Sequence, residues 1–133
     1  MVEGFQARAA EIYKPYPDEV PWELLLEGEP DETRIGGYLD QELIRVAKFR
    51  GEVIGVYVVK PVDRTRFQLA NIAVAQGFRG KGLGDWLLSH AIGLAETKGA
   101  REIIVSGARS QSFFKKHGFE PDGPNLLLTL TPE

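Results

Sequence analysis

Residues 71–88 read NIAVAQGFRGKGLGDWLL, and this stretch decides the fold. An apolar run, Asn71-Ile72-Ala73-Val74, is followed by Gly77, Gly80, Gly82 and Gly84 with Arg79 and Lys81 among them. A helix pattern then starts at once: Leu83, Leu87, Ala91 and Leu94-Ala95 recur at three- and four-residue intervals, and Gly99 is placed to cap the end. The expected unit is a strand, a glycine-rich turn and a helix over 83–97. The first turn of a helix carries amide protons with no partner inside the helix. Glycines there let a ligand approach the backbone, so such a turn suits a phosphate or diphosphate held by N–H groups and the positive end of the helix dipole. On glycine content alone, a tight turn with solvated cations is the competing reading.

Working outward, the rest of the chain alternates strand and helix signals. Upstream, Glu42–Phe49 and Val53–Val59 are rich in β-branched residues around the turn Arg50-Gly51-Glu52, a hairpin signal, and Phe67–Val74 follows as a third strand of the meander. Downstream, Glu102–Ser106 reads as a strand, Ser110–Lys116 as a short helix stopped by Gly118, and Asn125–Thr129 as a last strand. Before the meander, Trp22–Leu26 reads as a short strand and Asp31 as the N-cap of a helix to about Tyr38. Residues 1–21 combine a short helix, Phe5–Tyr13, with a proline-rich remainder, an arm of the chain. The expected fold is α/β (α+β): a mixed, mostly antiparallel sheet with a central parallel pair around one strand-helix-strand unit, flanked by helices.

Composition narrows the function classes. At 133 residues the chain reads as a single domain, residues 1–133. The absence of cysteine excludes disulfides, a thiolate nucleophile and Cys-based metal sites, and His90 and His117 lie too far apart, without ligand-type neighbours, to suggest a metal. No apolar run approaches a membrane span or signal peptide, so a cytoplasmic location is expected. With pI near 5.5 and no basic helix, nucleic acid is disfavoured as a partner. Residues 1–42 hold eleven acids against three bases, whereas 43–133 hold eight against thirteen, so an anion suits the second part.

Two phosphate-loop patterns fail on spacing. Gly77 and Gly82 have the gap of a nucleotide-triphosphate loop, but Leu83-Gly84 stand where Lys-Ser/Thr is required. The dinucleotide fingerprint G-x-G-x-x-G begins at Gly80 or Gly82 but meets Asp85 or Leu87 where its last glycine belongs.

Arg79-Gly80-Lys81-Gly82-Leu83-Gly84 instead matches Arg/Gln-x-x-Gly-x-Gly/Ala, the signature of the GNAT superfamily of acyl-CoA-dependent N-acetyltransferases. Ala70-Asn71-Ile72-Ala73-Val74 resembles the strand before it, and Phe113-Phe114-Lys115-Lys116-His117-Gly118-Phe119 resembles the family's later aromatic-Tyr-x-Lys-x-Gly-Phe segment. The likeness covers about residues 42–130. It implies acetyl-CoA as acyl donor, its diphosphate held by main-chain amides from Arg79 through Asp85 (Arg79, Gly80, Lys81, Gly82, Leu83, Gly84, Asp85). It also implies pantetheine along Ile72, Ala73 and Val74, with the thioester oxygen on the Ile72 amide. The acceptor implied is an amine of a small molecule or protein, attacking directly, with a homodimer allowed; the alternative is a non-catalytic acetyl-CoA-binding regulatory module.

Two positions depart from the family. The usual general base, a Glu four residues before the oxyanion residue, is Gln68, which can only position a water; the usual general acid, a Tyr, is Phe114, which has no proton to give. Ser106 and Ser110 are substitutes able to hold a relay water, or caps of the next helix. Tyr57 either points a phenol into the cleft or packs in the sheet; His117 reads as a surface residue, His90 as structural, and Trp86 and Phe113 as core. Glu27, Glu29, Asp31 and Glu32 hint at a cationic acceptor.

Overall fold

A computed structural model describes residues 9–28, 43–106 and 111–130. Its elements in chain order are β1 (Glu11–Tyr13), α1 (Trp22–Gly28), β2 (Ile44–Phe49), β3 (Glu52–Pro61), β4 (Arg66–Val74), α2 (Leu83–Thr97), β5 (Glu102–Ser106), α3 (Gln111–Lys115), β6 (Glu120–Asp122) and β7 (Asn125–Thr129). They form one seven-stranded sheet in the order β1-β2-β3-β4-β5-β7-β6. Every neighbouring pair is antiparallel except β4–β5, the parallel pair around α2.

Strand alternation sorts the side chains onto two faces. Tyr57, Val59, Phe67 and Leu69 meet Leu83, Leu87, Leu88, Ala91 and Ala95 of α2 on one face. Val56 and Val58 meet Ile44, Val46 and Leu25 of α1 on the other. Each fully buried leucine of α2 contributes about 1.5–3 kcal/mol. α2 lies so close to β3 that a Cβ on Gly55 would come within 2.8 Å of Leu87 Cδ1, which explains a glycine in the middle of a buried strand.

The meander, α2, β5 and β7 lie where the sequence pattern puts them, to within a residue or two at the ends. Three expectations change. Trp22–Leu26 is helical: three consecutive leucines are good helix formers without β-branching, and only Leu25 of the run is fully buried while Trp22 is exposed, a helical rather than an alternating pattern. Glu11–Tyr13 is a strand, because pairing of Ile12 with Ala47 overrides the helical propensity of the preceding residues. Glu120–Asp122 is an additional strand; its Pro121 is tolerated because β6 is a sheet edge. The helix expected from Asp31 to Tyr38 lies outside the described residues, as does Ser110. No described helix is long and apolar enough to cross a membrane.

Candidate active site

The site begins with a fault in the sheet. β4 carries an extra residue, Ala70, where the β3–β4 register steps from Val58↔Asn71 to Val59↔Leu69. Such a bulge bends its strand. Parallel pairing of β4 with β5 accordingly stops at Gln68↔Ile104, although β4 runs on to Val74 and β5 to Ser106, where it pairs with β7 instead. The two strands part into a cleft of about 780 Å³, lined by Leu69–Val74, Val105 and Ser106 at one end and by the glycine loop, Asp85 and α3 at the other.

Which β4 groups face that cleft follows from one bond. Ala75 N donates to Ile54 O (2.8 Å), so by alternation the main chain of Ala73 also turns toward β3, while the amides and carbonyls of Ile72 and Val74 turn toward the space β5 has vacated. Of the three pantetheine positions expected from the sequence, Ile72 and Val74 present backbone to the cleft; Ala73 has its main chain committed to the sheet and its side chain on the α1 face.

The loop continues this line of donors. A short 3-10 turn over Gln76–Phe78 leads to Gly80 (φ 74°) and Gly82 (φ 86°), both in the left-handed region that favours glycine. Gly82 is the N-cap of α2 and offers no side chain to its first turn. Trp86 N bonds Gly82 O (3.0 Å), whereas the amides of Gly80, Lys81, Gly82, Leu83, Gly84 and Asp85 bond to no described residue. α3 packs closely over Gly84, where a Cβ would stand 3.4 Å from the Phe113 ring, a van der Waals contact distance. Leu83 is wholly buried, so its side chain anchors the loop while its amide stays available.

Arg79 and Asp85, at the ends of the loop, act otherwise than as bare amide donors. The Arg79 amide turns back on Gln76 O (3.4 Å), its Nε donates to Val74 O (2.9 Å), and its guanidinium meets both carboxylate oxygens of Glu27 on α1 (3.1 and 3.2 Å). The Asp85 carboxylate receives His117 Nε2 (2.8 Å) and Lys116 Nζ (3.0 Å). The hydrogen bond from His117, then that from Lys116, holds its pKa below the usual range for an aspartate. His117 is therefore not a free surface residue but half of a tie between the α3 wall and the head of α2.

At the apex of the splay, Gln68 Nε2 donates to Ser106 Oγ (3.3 Å), bridging the two strands at the last point where they pair. Phe114 lines the cleft, buried against Phe113 and Phe119 in edge-to-face contacts. Tyr57 does not enter the cleft: it is fully buried on the α2 face, with its hydroxyl 2.6 Å from His90 Nδ1. Burial pushes its phenol far above the ordinary range, and burial, then Arg45, lowers His90. Sequence reading missed Asn71, the one buried polar residue among the described core. Its Nδ2 donates to Leu25 O (2.9 Å), pinning α1 onto β4, while its Oδ1 is buried without a partner. The signal was present as a lone amide inside the run Leu69–Val74.

The sequence that builds this bulged β4 and the bare helix N-terminus after it matches a known family model. The model of the acetyltransferase (GNAT) family aligns with residues 3–119. The chain belongs to the GNAT family. Among curated GNAT relatives, an uncharacterized N-acetyltransferase of Bacillus subtilis, YvbK, is 30% identical over 102 residues, 74% of this chain and 66% of YvbK. A putative ribosomal protein bS18-alanine N-acetyltransferase of the same organism is 38% identical over 60 residues, 42% of this chain and 40% of its own length. The chain thus spans less than two thirds of the curated relatives it matches. Among solved structures, a GNAT acetyltransferase from Elizabethkingia anophelis with acetyl-CoA bound superposes with a TM-score of 0.82 at 25% identity, covering 92% of this chain and 99% of that one. An IAA acetyltransferase from Bacillus cereus gives 0.80 at 29% identity, covering 91% and 99%.

Proposed function

We propose that this chain is an N-acetyltransferase that moves acetyl from acetyl-CoA to a primary amine of a small molecule or protein by direct attack. The observation that carries the reading is one continuous line of unpaired donors: the cleft-facing amides of Ile72 and Val74, then those of Gly80 through Asp85 at the head of α2. A CoA thioester is the ligand class that fits it, with amide-rich pantetheine for the strand edge and a diphosphate for the helix terminus. Ile72 N–H would polarise the thioester oxygen, and a donor fixed in the sheet does so without reorganising. Lys81, which makes no ion pair with a described residue, adds positive charge near the diphosphate end, whereas Lys116 is held by Asp85. The solved GNAT neighbour with acetyl-CoA bound supports the same donor.

Gln68 and Ser106 have the role left to them by their chemistry. Neither is a base at neutral pH, but the Gln68 Oε1 and the second lone pair and proton of Ser106 Oγ can hold a water that carries a proton to solvent. The test is calorimetry with acetyl-CoA followed by thiol release in the presence of an amine panel. Binding with amine-dependent release supports the enzyme. Binding with no release from any amine favours the regulatory module, and no binding refutes both.

A further inference from the structure

The glycine loop begins with an arginine whose side chain serves three elements at once. Arg79 Nε donates to Val74 O at the end of β4 (2.9 Å), and Nη2 reaches both carboxylate oxygens of Glu27 in the last turn of α1 (3.1 and 3.2 Å). Its amide closes the short turn on Gln76 O (3.4 Å). The planar guanidinium therefore has a fixed place beside the sheet, and Glu27 is held to that place. Helix physics alone does not favour Glu27 there, since a carboxylate in a last turn meets the negative end of the dipole. The contact with Arg79 supplies the compensation.

The other described anchors of α1 lie at its middle. Leu25 is buried against Ile44, Val46, Val56 and Val58, and its carbonyl accepts Asn71 Nδ2 (2.9 Å). Ala70 and Ala73 pack on the same cluster, so α1 lies over the part of β4 that carries Ile72. Leu83, Phe113 and Phe114 belong to the core on the opposite face. Among the described residues, the α1 side is thus the one from which an acceptor reaches a thioester held at Ile72. Arg79 lines the cleft, and Glu27, bonded to it, brings the last turn of α1 to the rim.

We propose that Glu27 is a positioning residue for the acceptor: through Arg79 it fixes the last turn of α1 against the end of β4, and so sets the entrance by which an amine reaches the acyl group. This deepens the acetyltransferase reading and rests on it. Glu27 also neutralises the guanidinium beside the diphosphate loop, so its loss releases a cation toward an anionic donor. Acceptor and donor then respond in different directions, which a general loosening of the fold does not produce.

The experiment measures acetyl-CoA affinity by calorimetry, and amine KM at saturating acetyl-CoA, for wild type, Glu27→Ala, Arg79→Gln and the double variant. The amine is whichever of spermidine, N-acetyl-lysine amide and a lysine-free peptide with a free N-terminus the wild type turns over best. Gln Nε2 stands as many bonds from the backbone as Arg Nε, so Arg79→Gln keeps a donor for Val74 O and deletes the arm that reaches Glu27. Alanine suits a helix end better than an unpaired carboxylate does, so Glu27→Ala does not unravel α1. We expect Glu27→Ala to raise amine KM about three- to fivefold with kcat within about twofold, the size an exposed charge pair allows. Acetyl-CoA binds that variant as tightly as wild type or more tightly. Arg79→Gln raises amine KM by a similar factor, and the double variant goes no further than either single one. An unchanged amine KM overturns the inference, as does acetyl-CoA affinity that falls in step with it in Glu27→Ala, or two effects that multiply in the double variant. Those results leave the acetyltransferase reading standing, whereas wild type that turns over none of the three amines removes that reading and this inference with it.

Discussion

The two ends of the cleft are built from different atoms. The head of α2 works through backbone: glycines at positive φ, no side-chain cap and a row of bare amides. The apex of the splay works through side chains: Gln68, Ser106, Phe114 and the buried Asn71. Backbone recognition tolerates almost any residue that keeps the φ angles, so its signature is a pattern of glycines. Side-chain chemistry depends on single identities. At the apex, Gln68 and Phe114 stand where the sequence resemblance implies a carboxylate and a phenol, while the loop residues match its motif.

The largest effect is expected at the apex. Asn71→Asp replaces the donor to Leu25 O with a buried carboxylate facing a carbonyl, and should cost about 2–3 kcal/mol of folding stability in urea denaturation. A neutral result would mean that α1 is not pinned to β4 through this amide, and the apex would lose its one buried anchor.

At the loop, Gly82→Val forces a β-branched residue into the left-handed region at φ 86°. It should cost about 1–2 kcal/mol of stability and at least about tenfold in acetyl-CoA affinity by calorimetry. Gly93→Ala is the matched control on the same helix: a Cβ there meets nothing within 4 Å, so stability should rise by about 1 kcal/mol with affinity unchanged. If both substitutions left binding alone, the loop would be a tight turn and no more.

These contrasts explain what could be read in the sequence. The meander, α2 and β5 were legible because period-2 and period-3.6 patterns of Val, Ile and Leu survive burial on one face. The loop was legible because Gly80, Gly82 and Gly84 have few other uses at a strand-helix junction. Trp22–Leu26 was not, because a short leucine run carries no period; its helical state is fixed by how Leu25 packs against β2 and β3. The orientation of Tyr57 was not legible either. It is the ladder pairing Tyr57↔Ile72, with parity set by neighbouring residues, that turns the phenol to the α2 face. His117 and Asp85, distant in sequence, meet because the α3 wall lies against the head of α2.

Tyr57→Phe tests that parity. It removes the bond to His90 from a buried hydroxyl and should cost about 1 kcal/mol in stability, while acetyl-CoA affinity and turnover stay at wild-type values. A fall in turnover without loss of stability would put the phenol in the cleft and make the apex less bare of proton donors than its geometry indicates.

The smallest effect is expected where the two walls of the cleft are tied. The Asp85 pKa is lowered in the folded chain, first by the hydrogen bond from His117 and then by that from Lys116. A depressed carboxylate contributes stability that is fully present above its unfolded pKa, near 3.9, and is lost as pH falls through the folded value. The side chain is 40% exposed, so solvent screening keeps the contribution below about 1 kcal/mol. Thermal unfolding of wild type against Asp85→Asn should therefore show a small wild-type advantage at pH 6 that begins to shrink only below about pH 4. A pH-independent difference would mean the carboxylate is not held by its cations. The tie between loop and α3 would then be the Phe113–Gly84 contact alone, a packing contact rather than an electrostatic one.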